Sequence, residues 1–284
     1  MLLSAAGMSL TGLFGKLGIA NLSLFALIFW RYAAALLLLF SILLFSGNLK
    51  GMFDFKNIKI QLLRAFFVLT AQYFFFFYLE YNTLLNASVL FNTGPVFISL
   101  IEWGILRKKV GISSWISSLV AFIGMLCILQ PGVKIFSFMS LAGLLSGVCQ
   151  GASQVVFGYH ATKEEKPHIG VLHLFIISSF FSLILYLIFH NLVPSNAFMQ
   201  LDWIWIICLG AGSILNQIFR AEAYQHGTPS RSSPYLYFAV PLSAVWDWTI
   251  FGKVPNVLSF IGAMLVISGG VLKIYLRSKI LKSR

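Results

Sequence analysis

A stretch of this chain is written twice. When Pro95 is set on Pro241, Tyr78 falls on Tyr224 and Ala87 on Ser233, and one single-residue gap near residue 110 then sets Gly124 on Gly269. The echo covers residues 77–129 and 223–274. Each copy holds a long apolar run with an internal proline, a short basic turn and a second apolar run. Corresponding points lie five apolar runs apart. Because five is odd, the second copy enters from the opposite side, and the two copies are inverted relative to each other.

What the runs cross is a lipid bilayer. The chain has 284 residues, 59% of them hydrophobic and only 10% charged, with a mean hydropathy of +0.89. A water-soluble domain of this size cannot bury so much apolar surface. Ten runs have the length of about 20 residues that a spanning helix needs: 2–19, 23–45, 60–80, 84–106, 112–130, 138–159, 169–190, 202–223, 229–251 and 256–276. Breaker chemistry separates them, including Gly47-Asn48, Asn82-Thr83, Pro131-Gly132, Pro167, Pro194-Ser195-Asn196, Gly227-Thr228-Pro229 and Pro255-Asn256. The runs are continuous rather than alternating, which excludes a β-barrel. The expected fold is an all-α membrane protein of ten transmembrane helices in two inverted five-helix repeats, residues 1–132 and 133–284.

The net charge of +12 does not indicate nucleic acid, because most of the bases stand in turns between apolar runs. Lys50, Lys56 and Lys59 follow run 2, Arg107, Lys108 and Lys109 follow run 4, Lys163 and Lys166 follow run 6, and Lys273, Arg277, Lys279, Lys282 and Arg284 form the tail. All fall on one side of a ten-span chain. The other side has Lys134 and Lys253, with Lys16 at a span end. The positive-inside rule then puts both termini in the cytoplasm. The same count tests the inversion: Arg107-Lys108-Lys109 matches Gly252-Lys253-Val254, and the lysine-rich turn after run 2 matches 191–200, which has no charge. Equivalent turns have lost their bases, as a flipped copy requires. Cys127, Cys149 and Cys208 all lie inside apolar runs with no CxxC partner, so they read as packing residues, and neither a disulfide nor a metal site is expected. The N-terminus shows no basic segment or cleavage site of a secretory signal.

In order along the chain, several pieces resemble the EamA branch of the drug/metabolite transporter superfamily. Gly15-Lys16-Leu17-Gly18 is similar to the family's lysine-containing close of span 1. Trp30-Arg31-Tyr32-Ala33-Ala34-Ala35 resembles its span-2 stretch, and Ala87 to Phe97 its span-4 signature, echoed by Ser233-Pro234-Tyr235 through Pro241-Leu242. The resemblance implies two tandem five-helix repeats and carrier-type transport of small organic solutes. One departure stands out: where the family ends spans 4 and 9 with Gly-Glu, this chain reads Leu106-Arg107 and Gly252-Lys253. A role for that glutamate cannot be carried over to Glu102 or Asp247, which lie earlier.

Polar groups at bilayer depth are costly unless they face water, one another or a solute, so the embedded ones are the candidate substrate site. Arg31 cannot shed its charge; it either clamps an anionic group of the substrate, pairs with Asp247 or Glu80, or snorkels to the interface. Gln150 and Gln154 share one helix face. With Gln72, Asn92, Asn216 and Tyr235 they suit a polar or zwitterionic solute, the alternative being hydrogen bonds between helices. Pro95 and Pro241 free helical carbonyls and are either hinges or static kinks. Glu102 and Asp247 are candidates for proton coupling, or else partners of Arg107 or Lys16. No nucleophile–base pair or ligand cluster is present among the histidines, so no catalytic residue, metal or cofactor is expected. The reading is a secondary transporter of amino acids, amines or similar zwitterions, possessing a small-molecule substrate and the bilayer as its partners, as a monomer or homodimer in a bacterial inner membrane. A phosphate-ester or nucleotide-sugar exchanger is the runner-up, set lower because only Arg31 stands clearly at cavity depth; a channel or a membrane enzyme follows.

Overall fold

In hydrocarbon no water covers backbone polar groups, so each run closes its hydrogen bonds within itself as a helix. The computed structural model describes residues 1–54, 58–108, 110–129, 138–160, 166–189, 203–254 and 257–282. The turn bases Lys56, Lys109, Lys134 and Lys163 and the 191–200 turn lie outside the described residues. In order, the helices are α1 (Leu2–Ile19), α2 (Leu24–Phe45), α3 (Ile58–Tyr81), α4 (Leu84–Phe91), α5 (Gly94–Gly104), α6 (Ile112–Leu129), α7 (Phe138–His160), α8 (Pro167–Phe189), α9 (Trp203–Gln225), α10 (Pro229–Ser232), α11 (Ala239–Thr249) and α12 (Val257–Lys282), with a 3₁₀ segment, Ser233–Phe238, between α10 and α11. Seven segments are long and apolar enough to cross a bilayer, counting Leu84–Gly104 as one; α6 and α12 hold shorter apolar stretches. Leu37, Phe66, Phe180 and Ile204 remain exposed on the outside of the bundle, where lipid rather than water is their solvent.

Among the described residues a helix or a broken pair of helices stands at each of the ten expected runs, and the fourth and ninth are the broken ones. Span 4 stops at Asn92, where the Thr93 hydroxyl donates to the Leu90 carbonyl at 2.7 Å, and it resumes as α5. Span 9 begins as α10, passes through the 3₁₀ segment and resumes as α11. Pro95 and Pro241 both sit in the first turn of the resumed helix, a place where a missing N–H costs no helical bond.

The two halves pack by exchange. The contacts of α1 with α9 match those of α7 with α3, and α2 with α9 matches α8 with α3; α2 meets its counterpart α8, and α6 meets its counterpart α12. The equivalent turns after α5 and α11 close alike. Arg107 (φ 50°) and Gly252 (φ 65°) take the left-handed conformation, and the N–H groups of Lys108 and Lys253 each donate at 2.8 Å to the carbonyls of Glu102 and Asp247. These turn matches run one residue short of the Pro95–Pro241 match, so the repeat's single gap falls within the broken spans rather than near residue 110. The end of α5 meets the start of α10, beside the terminus of α9; the end of α11 meets the start of α4 and the end of α1. The two equivalent turns therefore stand at opposite ends of the bundle, which is the inversion.

Backbone approach holds this interleaving together. A Cβ on Gly7 would lie 2.5 Å from the Asn216 nitrogen, and one on Gly147 would lie 2.5 Å from the Leu90 carbonyl oxygen, whereas nothing lies within 4 Å of one on Gly104. Gly147→Ala is thus expected to destabilise the detergent-solubilised protein by about 1–3 kcal/mol through overpacking and to lower its thermal midpoint; Gly104→Ala, measured beside it, leaves the midpoint within about a degree or raises it.

Candidate functional site

Along the line where the halves meet, α1, α2, α3, α4, α7 and α9 enclose a narrow polar chamber of about 20 Å³, room for about one water molecule. Its wall includes Ser9, Thr11, Arg31, Gln72, Ser88, Gln150, Asn216, Gln217 and Arg220, with Phe75 and Phe91 as apolar faces. Gly12 and Ala239 keep the wall thin where α1 and α11 reach it. A second, open cavity of about 670 Å³ lies at the end of the bundle that carries the N-terminus, lined by Met1–Leu3, Phe219, Glu222, His226, Arg231 and Tyr235. Both cavities border α9, with Asn216 and Arg220 lining the chamber and Phe219 and Ala223 lining the open cavity.

Among the described residues Arg31 pairs with no carboxylate. Its Nε donates to Ser213 Oγ at 2.9 Å and its Nη1 donates to Gln72 Oε1, so neither Asp247 nor Glu80 serves it, and burial to 4% exposure excludes snorkelling. Gln72, Gln150 and Asn216 share the chamber with it. The other three amide and phenol candidates lie elsewhere. Gln154 accepts from the Tyr224 hydroxyl, Asn92 donates to the Ser88 carbonyl at 2.7 Å at the break in span 4, and Tyr235 lines the open cavity. Ser88, Ser243, Ser9 and Trp246 form a chain of hydrogen bonds from the chamber toward the far end.

Two further arginines are buried at this depth. Arg64 is 2% exposed; it donates to Gln217 Oε1 at 3.1 Å and its guanidinium lies 3.5 Å from the Phe157 ring. Arg220 is 3% exposed and lines the chamber itself. Both lie within two turns of a helix end. The available signal was spacing: Asn216 and Arg220 are four apart and share one helix face.

Glu102 and Asp247 cap helices of the opposite half. The Asp247 carboxylate accepts from the backbone N–H groups of Leu84 at 3.3 Å and Leu85 at 2.6 Å, at the start of α4, and pairs with Lys16 at 3.3 Å. Glu102 accepts from the Ser230 N–H at 3.1 Å, at the start of α10. The two acids hold equivalent positions, and so do their targets. An anionic acceptor at a helix N-terminus satisfies otherwise orphaned donors and meets the positive end of the helix dipole. Lys16 also donates to the Asn82 carbonyl at 3.3 Å, which ties α1, the α3–α4 turn and α11 into one closure.

An inverted pair of five-helix bundles around a closed polar chamber is the build of a multi-pass secondary carrier. The model of the EamA-like transporter family matches residues 1–130 and 137–275, and the chain belongs to that family. A riboflavin transporter of Vibrio cholerae is 28% identical over 180 residues, which span 63% of this chain and 58% of that protein. The pseudopaline exporter of Pseudomonas aeruginosa is 23% identical over 254 residues, 87% of this chain and 85% of that one. An S-adenosylmethionine uptake transporter of Rickettsia prowazekii is 22% identical over 199 residues, 70% and 66% of the two chains. A crystal structure only 15% identical superposes with a TM-score of 0.73 over 98% of both chains, so the fold is shared. These relatives are transporters, not enzymes.

Because Gln72 is the acceptor for a buried guanidinium, Gln72→Leu is expected to destabilise the protein by about 1–3 kcal/mol despite the gain in apolarity. Chemical denaturation of the purified protein reads this; a neutral or stabilising result contradicts the placement of Arg31.

Proposed function

We propose that the chain is a secondary transporter that moves a small organic metabolite bearing an acidic group, an amino acid or similar solute among them, by alternating access. What supports this is the narrow polar chamber between inverted halves, with Arg31 in its wall, and a carboxylate cap on a helix start toward each end of the bundle. The units that rock are residues 1–132 and 133–284, and the end bearing both termini faces the cytoplasm. Relatives named for uptake and for export both exist, so the architecture serves either direction.

The caps give the alternation a physical form. Each acid reaches from one half to a helix start in the other, so opening either end of the chamber pulls a carboxylate off backbone N–H groups. With both caps formed, the chamber is occluded. Loss of the acceptor charge at Asp247 or Glu102 would release that end; Lys16 is the charged neighbour that competes for Asp247. Pro95 and Pro241, each in the first turn after a break, are where the broken spans flex.

Reconstituted in proteoliposomes, the protein is expected to show counterflow, with labelled solute accumulating only while unlabelled solute is exchanged from the other side. Equilibration without trans-stimulation would mark a channel. A charge-assisted hydrogen bond is worth roughly 1.5–3 kcal/mol. Asp247→Asn is therefore expected to raise the labelling rate of a cysteine at Asn82 about tenfold, and Glu102→Gln to do the same at Ser232. Unchanged rates in both would remove the caps from the mechanism.

A further inference from the structure

The chamber holds more positive charge than a single acidic group can neutralise. Arg31 and Arg220 both line it, both are nine-tenths buried or more, and among the described residues neither meets a carboxylate. Arg31 has two neutral acceptors, Ser213 and Gln72. Arg220 has one weak contact, Nη2 to Met8 Sδ at 3.8 Å, and its Nε has no acceptor. The Asn216 amide oxygen, one turn away on the same face, is also without a donor.

Arginine stays charged at any pH a protein survives, so burial cannot be relieved by losing a proton. Two such charges in one small chamber repel each other and forgo their hydration, a cost that a fold does not keep without a counter-charge. Their heights fit one ligand. Arg31 is bonded to Ser213 of α9, whereas the Arg220 side chain leans back toward the start of α9 and meets Met8, next to Gly7, which packs against Asn216. The two heads are thus about one helical turn apart along α9, on the order of 5 Å. Planar guanidinium forks suit carboxylate and phosphate oxygens.

From this, and resting on the carrier reading above, we infer that the transported solute carries two negative charges on oxyanions, either two carboxylates or one phosphate monoester, bridged by Arg31 and Arg220. Asn216 takes a hydroxyl or ammonium hydrogen beside them. A singly charged or zwitterionic solute leaves one guanidinium without a partner. Arg220 is a specificity-determining residue rather than a packing one.

Thermal-shift titration of the full chain in detergent tests this with two matched pairs of probes: glutarate against butyrate, and glycerol 3-phosphate against glycerol. Binding to the folded state raises the midpoint with the logarithm of ligand concentration over Kd. At least one dianion is expected to bind roughly 30-fold or more tightly than its partner, the usual cost of stripping one side of a buried charge pair, and Arg220→Met is expected to abolish that preference. The two probe pairs separate carboxylate from phosphate chemistry. A second, ligand-free reading guards against misfolding: Arg220→Met removes an uncompensated charge and is expected to raise the midpoint of the empty protein. A lower midpoint makes Arg220 structural and overturns the inference, as does equal binding of dianions and their partners, or a preference that survives Arg220→Met. Counterflow of a neutral or monoanionic solute without any dianion preference overturns the two-arginine site alone; absence of counterflow for every solute overturns the carrier reading itself.

Discussion

Two short helices begin with buried backbone N–H groups that another part of the chain must cover. The starts of α4 and α10 are both buried, and each is covered by an acid from the other half, Asp247 for one and Glu102 for the other. In a low-dielectric interior an uncovered helix start is expensive, so spans 4 and 9 can be broken only if these acids are in place. Interleaving of the halves follows from that dependence and, on the transport reading proposed above, so does opening of the chamber from one end at a time.

A broken span brings polar backbone to bilayer depth, which is tolerated only against protein or a water-accessible cavity. Here the breaks lie beside the chamber: Ser88 and Phe91 of α4 and Ala239 of α11 form part of its wall. The same breaks that need the caps therefore shape the solute site. Charge then divides between two tasks. The acids Asp247 and Glu102 serve the ends and the arginines Arg31 and Arg220 line the centre, and the Lys16–Asp247 ion pair belongs to an end. Keeping carboxylates out of the chamber leaves its guanidinium groups available to a solute.

Much of this was legible in the residues. The Pro95–Pro241 echo and the loss of bases from equivalent turns fixed the inverted architecture, and Arg31, Gln72, Gln150 and Asn216 were chosen as embedded polar groups and meet in one chamber. What was hidden depends on distance in sequence. Asp247 acts on Leu85, and Glu102 on Ser230, across contacts that no local pattern announces. Gln154 and Asn92 looked equally available but are engaged by Tyr224 and by the α4 backbone. The backbone of Arg220 sits near a span end, and only its side chain leans inward, as helical side chains do toward their N-terminus.

The central claim is that the two halves are the same unit turned over, each capping the other at opposite faces. Single cysteines at Lys108 and Lys253, placed one at a time in a cysteine-free background and treated with a membrane-impermeant maleimide in oriented vesicles, measure it directly. The account predicts that one reacts only from the side of the termini and the other only from the opposite side. Reaction of both from the same side would contradict it.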